Sequence, residues 1–329
     1  MGPGSGGHTT MMRMVAALEQ AHHDCTLILY DPYDTDIEER TRIIREGWPQ
    51  VSARVLKLAG HIEGYDAVVA TAWQTAHALA KWGADAPMQR FYFIQDYEPY
   101  FYPMGAAYCL AEQTYQFGFH LLSLGEMIEC TLRDVAGRSS QMIPFGCDLT
   151  TYVNEERTPR SGVVYYSMPS VARRGFLIAR EALQIFHRLH PDQEIHVYGD
   201  GRPTDFGVPV TWHGRITPAQ LNALYNRTIA GLALSFTNIS LVPEEMLAGG
   251  CVPVCNDHPY SRLVLTDSSV VWSPPSPASL ARSLSEVVQR QLDPLTERRI
   301  LRPDQLRSWD ISTGVFVNTV ERTVYGESP

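Results

Sequence analysis

The chain has 329 residues, 44% of them hydrophobic and 19% charged, which excludes a disordered chain and leaves room for two domains of about 150 residues each. A formal net charge of −9 excludes a nucleic-acid backbone as partner, because phosphates are held by basic surfaces. No apolar run approaches the ~20 residues of a membrane span, and the opening residues do not read as a signal peptide.

Six cysteines (Cys25, Cys109, Cys130, Cys147, Cys251, Cys255) lack a Cys-x-x-Cys spacing, and most lie in apolar runs. They read as free thiols in a reducing compartment, so a cytoplasmic protein is expected, with peripheral attachment to the inner face of the membrane left open. Histidines and carboxylates show no metal-ligand spacing, so no metal is expected.

In chain order, a glycine-rich opening (Gly2 to His8) leads into an amphipathic helix with Met11, Met14, Val15 and Leu18 on one face. Such a turn follows a strand in dinucleotide-binding units, and no residues stand ahead of Gly2 to supply one. The first domain is therefore expected to lack its first strand. Strands follow over 25–30, 66–71, 90–95 and 120–124, with a helix through His77 and Leu79 after the second. Strands alternating with helices indicate a parallel sheet, whose ligands gather at the carboxyl ends of the strands. Gln95-Asp96-Tyr97-Glu98-Pro99-Tyr100-Phe101-Tyr102 occupies such an end. Two carboxylates among aromatic rings suit a sugar, with hydroxyls on its rim and C–H faces for stacking. The other reading of the same loop is aromatic packing.

The polar stretch 154–162, with Pro159 and Gly162, reads as the interdomain linker. Strands over 163–166, 194–198, 210–213, 229–234, 251–255 and 270–272 then build a second domain. Helices are expected over 176–189, up to Asn226, over 244–248 and over 278–291. A terminal helix capped by Ser312 is expected to carry Phe316, Val320 and Val324 on one face. Arg173 and Arg174 precede a helix, where they either clamp a diphosphate or stand as solvated charges. From Ser235 an apolar strand breaks into a polar loop, and Pro243 opens a short helix. A loop entering a helix suits an anion, and a carboxylate one turn in suits neighbouring hydroxyls; together they suit a nucleotide sugar. An ordinary strand–loop–helix–strand unit with a solvated Glu pair has the same spacing.

Glu245-Met-Leu-Ala-Gly-Gly-Cys-Val-Pro-Val resembles the second half of the Glu-x7-Glu motif of family 4 glycosyltransferases. The resemblance implies that Glu245 meets the nucleotide ribose; Thr237 stands where the first Glu of the motif would be. The pattern from Thr237 to Met246, the aromatic loop at 95–103 and Ala111-Glu-Gln-Thr-Tyr115 are similar to the polysaccharide and S-layer glycan rhamnosyltransferase branch. Gly6-Gly7-His8-Thr9-Thr10 resembles the first loop of these enzymes, and Pro144-Phe-Gly-Cys-Asp148 the step that closes their first domain. Arg174, before Gly175, fits the position of the family's phosphate-binding Lys, whereas Met168 or Pro169 replaces its partner Arg.

The resemblance implies an α/β protein of two Rossmann-like domains facing across a cleft, the GT-B fold, with a C-terminal helix crossing back to the first domain. The acceptor-side domain would span 1–155, completed by 305–329, and the donor domain 156–304. Asp96, Glu98 and His8 are the implied catalytic residues, with Gly6, Gly7, Tyr97 and Tyr100 on the acceptor side. Donor contacts are implied for Glu245, Thr237, Asn238, Ile239, Ser240, Leu241, Arg173, Arg174, Gly199, His213 and Gly214. The implied reaction moves L-rhamnose from dTDP-L-rhamnose, or a sugar from a UDP donor, to a glycan or glycoside acceptor with retention and without a cofactor. Two alternatives share the plan: a nucleotide-sugar 2-epimerase, and a non-catalytic sugar-nucleotide or glycan-binding protein.

Overall fold

The computed structural model describes residues 2, 5–30, 36–155, 159–199, 203–292 and 306–326. It separates into two units: Met1–Pro144 with Asp310–Pro329, and Phe145–Trp309.

The first unit opens with α1 (Gly6–Gln20), capped by Ser5, whose hydroxyl accepts the His8 N–H at 3.4 Å. Gly6, Gly7 and His8 are thus the first helical turn rather than the glycine loop expected. The cap and the buried Thr10, Met11, Met12, Met14 and Ala16 outweigh the low helix propensity of the two glycines. There follow β1 (Thr26–Leu29), α2 (Ile37–Gly47), β2 (Arg54–Lys57), β3 (Ala67–Ala70), α3 (Trp73–Trp82) and β4 (Gln89–Ile94). The unit's main sheet is completed through α4 (Ala106–Gln113), β5 (His120–Leu124), α5 (Glu126–Asp134) and β6 (Gln141–Ile143). β1 pairs parallel with β2, and β3-β4-β5-β6 form a second parallel sheet in that order.

The second unit runs β7 (Val163–Ser167), α6 (Phe176–Leu189), β8 (Ile195–Gly199), β9 (Thr211–Gly214), α7 (Pro218–Arg227) and β10 (Ala230–Ala233). It continues with α8 (Val242–Ala248), β11 (Val252–Asn256), α9 (Ser261–Val264), β12 (Val271–Ser273) and α10 (Pro277–Leu292). Its six strands are all parallel in the order β12-β11-β10-β7-β8-β9. Period-two alternation sorts the two faces. Val163, Tyr165, Ile195, Val197, Ala230 and Leu232 join Ala179, Leu183 and Phe186 of α6 and Leu280, Leu284 and Val288 of α10 in one core. Val164, Tyr166, His196, Tyr198 and Gly231 point the other way, toward α7 and α8. Gly231 lies so close beneath α8 that a Cβ there would sit 2.6 Å from Met246 Cε. The strand order reverses between β7 and β10, which places a ligand crevice beyond their carboxyl ends.

Residues 145–155 belong to the second unit. The N–H of Cys147 donates to Arg307 O at 2.8 Å, that of Val153 to Asn222 Oδ1 at 3.1 Å and that of Glu155 to Asn226 Oδ1 at 2.7 Å. Within 154–162, Arg160 donates to Tyr225 O at 2.6 Å and Gly249 O at 3.0 Å; residues 156–158 lie outside the described residues.

The chain then returns to the first unit through α11 (Trp309–Tyr325), where Phe316 meets Phe93 at 5.5 Å and Glu321 meets His23 at 3.0 Å. Ser312 does not cap this helix, which begins at Trp309. It lies fully buried within the helix, one turn from Phe316 and on the same face. All six cysteines are free, Cys109 exposed, Cys25 partly buried and the other four buried. Among the described residues no helix is long and apolar enough to cross a membrane.

Candidate functional site

At the reversal of strand order, Ser167 ends β7 fully buried, and its Oγ has no hydrogen-bond partner among the described residues. A short turn over Ala172–Arg174 follows and is bound to the loop after β10. The Phe236 N–H donates to Arg173 O at 3.1 Å, and Arg174 Nη1 donates to Ser235 Oγ at 2.9 Å. Gly175, at φ +65°, permits this approach: a Cβ there would lie 2.9 Å from the Phe236 ring. Ser235 in turn exchanges two hydrogen bonds of 2.8 Å with the Asn256 amide and donates its hydroxyl to Asn238 O. Thr237, Asn238 and Ile239 are buried, and Ser240 and Leu241 half-buried. The loop is therefore a fixed wall beside the arginine turn.

Glu245 lies half-buried on α8, which starts at Val242, one residue before Pro243. Its carboxylate faces a cluster of phenols brought together from four separate elements. Tyr166 and Tyr198 are partners across β7 and β8, with rings 5.2 Å apart. The Tyr198 and Tyr225 hydroxyls share a hydrogen bond of 2.7 Å, and the Tyr152 ring lies 6.1 Å from that of Tyr225. Burial pushes all four phenols above their ordinary range, and the Glu245 charge pushes each the same way. Around Tyr166, Arg174, Arg173 and Arg215 oppose that push. One carboxylate and three guanidinium groups therefore act on a single phenol at the end of β7. Ser167, Arg215, Asn256 and the tyrosines did not stand out in the sequence. Strand alternation, applied to Tyr166 and Tyr198, is the signal that places both rings on the α7 and α8 face.

Gly199 ends β8 at φ +130° and Gly214 ends β9 at φ +65°, beside this group; Asp200 and Gly201 lie outside the described residues. His213 is not brought to it. Its Nε2 lies 3.2 Å from His196 Nδ1, and Arg227, which closes α7 just before β10 begins, lies 3.4 Å from the same atom. His196 also meets Glu194 at 3.2 Å. Burial, and then the charge of Arg227, hold the His196 imidazole down at about 4; burial lowers His213 as well. With folded values below the ordinary 6.5, the unfolded chain binds more protons between pH 6.5 and about 4. Stability present above pH 6.5 is thus lost as the pH falls through that window. Urea midpoints at pH 7 and pH 5 are expected to show this loss, and His196→Gln to shrink it. A loss unchanged by the substitution would assign it to other groups.

In the first unit, the expected acceptor residues divide into two sets. Glu98 Oε2 accepts the Trp73 N–H at 2.5 Å and the Tyr92 hydroxyl at 2.7 Å, so it closes the start of α3. Tyr97 is fully buried and donates to Glu112 Oε1 at 3.3 Å. Asp96 is half-buried and Tyr100 exposed, with its ring 4.6 Å from that of Tyr97. Gly7 O accepts Gln95 Nε2 at 3.1 Å, which brings the first turn of α1, with Gly6 and His8, to the end of β4. Burial lowers His8 from its ordinary value. Glu98→Ala would leave the Trp73 N–H and the Tyr92 hydroxyl without this partner. A loss of about 2 kcal/mol is expected, read by thermal melting. An unchanged melt would show that Glu98 does not brace the fold.

Two α/β units built on parallel sheets are the plan of the GT-B fold seen in glycosyltransferases. The chain matches the solved structure of sucrose-phosphate synthase from Thermosynechococcus elongatus with a TM-score of 0.75, over 98% of this chain and 94% of that one, at 15% identity. It matches WaaG, a glycosyltransferase involved in lipopolysaccharide biosynthesis, with a TM-score of 0.60 over 99% and 97% of the two chains, at 14% identity. Residues 6–124 match the family described as WsaF, N-terminal domain, and residues 161–285 the family described as WsaF, C-terminal domain. The chain belongs to the WsaF family, whose N- and C-terminal domains it carries in that order. It is 30% identical over 298 residues to the O-antigen biosynthesis protein RfbC of Myxococcus xanthus, covering 86% of this chain and 23% of that protein. The chain thus spans about a quarter of that curated relative's length.

Proposed function

We propose that the protein transfers a hexose, L-rhamnose from dTDP-L-rhamnose, to a growing polysaccharide with retention of anomeric configuration. The observation that carries this reading is the arginine turn after β7, tied by Arg174 to Ser235 and by Arg173 O to the Phe236 N–H, beside the loop that leads from β10 into α8 with Glu245. A carboxylate suits the hydroxyl of a nucleotide's sugar, and guanidinium groups suit its diphosphate. The arginines then stabilise the charge that develops on the leaving diphosphate. When the acceptor attacks from the leaving-group side, that phosphate takes the acceptor proton, so the scheme requires neither metal nor cofactor. The rhamnose donor and the polysaccharide acceptor rest on the likeness to WsaF and to the O-antigen biosynthesis protein. The aromatic loop with Asp96 and Tyr100 is assigned to the acceptor. A cytoplasmic setting, with peripheral attachment to the membrane, suits six free thiols and a nucleotide-linked donor.

Incubation with dTDP-L-rhamnose, with and without glycan acceptors, tests the proposal through dTDP release. Release that depends on an acceptor, with a rhamnosylated product of the donor's anomeric configuration, is expected. A changed sugar without acceptor would make the protein an epimerase, and an intact donor bound without turnover would make it a binding protein.

A further inference from the structure

The turn that follows β4 sorts its side chains into two groups. Tyr97 and Pro99 are buried, whereas Tyr100 is 45% exposed and Met104, a little further on, 78% exposed. The exposed Tyr100 ring has a fixed seat. It lies on the single tight turn Glu98–Phe101, where the Tyr100 N–H donates to Tyr97 O at 3.0 Å and the Tyr102 N–H to Pro99 O at 3.1 Å. Its centroid is 4.6 Å from that of the buried Tyr97 ring. Beyond it, Trp73 Nε1 donates to the Tyr102 hydroxyl at 3.0 Å and anchors the turn to α3. A tyrosine held this way at the surface loses little freedom when a ligand covers it.

Charge narrows what that ligand is. From Phe91 to Phe119 the chain carries Asp96, Glu98 and Glu112 and no lysine, arginine or histidine. His77 reaches this region from α3, where its Nε2 lies 2.9 Å from Leu110 O. The start of α3, where an anion would find backbone N–H groups, is taken. The Trp73 N–H donates to Glu98, and those of Thr71 and Ala72 donate to Thr75 Oγ1. A phosphate or uronate at this turn therefore meets carboxylates of its own sign. A neutral sugar does not: its hydroxyls donate to carboxylates, and its C–H face lies against an aromatic face. We infer that the glycan held at this turn is uncharged, and that Tyr100 is the stacking residue that binds it. The inference names the substrate class of the acceptor side and rests on the assignment of this loop to the acceptor.

The test starts from an array of neutral, uronate-bearing and phosphorylated oligosaccharides, probed with the wild-type protein at low salt, where charge is least screened. Binding is expected only among the neutral members. Binding to anionic members as well, or to no neutral member, overturns the inference. The array needs no variant, so it decides the charge preference whatever a substitution does to folding. The strongest neutral binder is then titrated by calorimetry into wild type, Tyr100→Ala and Tyr100→Phe. Tyr100→Ala is expected to weaken it by roughly tenfold or more, and Tyr100→Phe to stay within about threefold of wild type, because stacking needs the ring and not its hydroxyl. Equal affinity in Tyr100→Ala and wild type removes the ring from the glycan site. Titration of dTDP into the same proteins tests the assignment underneath. Equal dTDP affinity in all three is expected. A loss in Tyr100→Ala would place the loop with the donor, and the acceptor assignment would fall whatever the array shows.

Discussion

Replacing Gly199 by alanine is expected to be among the most damaging single changes in the second unit. Gly199 pairs with Ser167 across β8 and β7, and a Cβ there would lie 2.3 Å from Ser167 O and 3.1 Å from the Tyr166 ring. The backbone at φ +130° is also one that alanine rarely adopts. Strain of about 1–3 kcal/mol adds to overpacking of similar size, so a total loss of about 2–6 kcal/mol is expected. The clash falls on backbone and on the ring among the arginines, so nucleotide affinity is expected to fall with stability. Gly214→Ala is the control: it also has positive φ, but its nearest neighbour would be Trp212 Nε1 at 3.7 Å. That change is expected to cost about 1 kcal/mol. Urea unfolding of both variants checks the comparison, and equal costs would show that the Ser167 contact contributes nothing.

Removing Arg173 and Arg174 together is expected to lower dTDP affinity at least a hundredfold, since each charged hydrogen bond to a diphosphate contributes about 1.5–3 kcal/mol. Arg174 carries a second burden because its contact with Ser235 ties the turn to the 235–241 loop. Arg174→Lys keeps the charge but not the planar fork, and is expected to recover only part of the affinity. Calorimetry at low salt reads the effect with least screening. Affinity equal to wild type would make both arginines solvated surface charges and remove the diphosphate from this turn.

The second unit was legible where strands are buried on both faces. The apolar runs of β10 and β11 announce themselves, and the change of period into α6 marks that helix. β2 was missed because Arg54 and Lys57 make it a polar, largely exposed edge, and β6 because three residues show no pattern. Gly6 and Gly7 misled for a different reason. Glycine suggests a loop, and only the buried face beyond it shows that Ser5 has already started a helix. Glu245 emerged through resemblance, because its spacing alone also fits a solvated acid. Its phenolic surroundings were hidden, since Tyr152, Tyr166, Tyr198 and Tyr225 become neighbours only through strand register and the packing of α7. Likewise His213 ended a readable strand, while its pairing with His196 and Arg227 depends on a bulge in β8–β9 pairing.

The distribution of thiols provides a built-in clock for opening of the second unit. Cys251 and Cys255, beside and within β11, are fully shielded. Burial pushes the Cys251 thiol up to about 12 and raises Cys255 as well, so neither supplies thiolate in the folded protein. Cys109 on α4 stands exposed and reacts first. Under a slow alkylating reagent, later mass increments on Cys251 and Cys255 therefore record how often the sheet around β11 comes apart. A nucleotide that binds only the closed unit retards those increments in proportion to its occupancy, so affinity can be read before any acceptor is known.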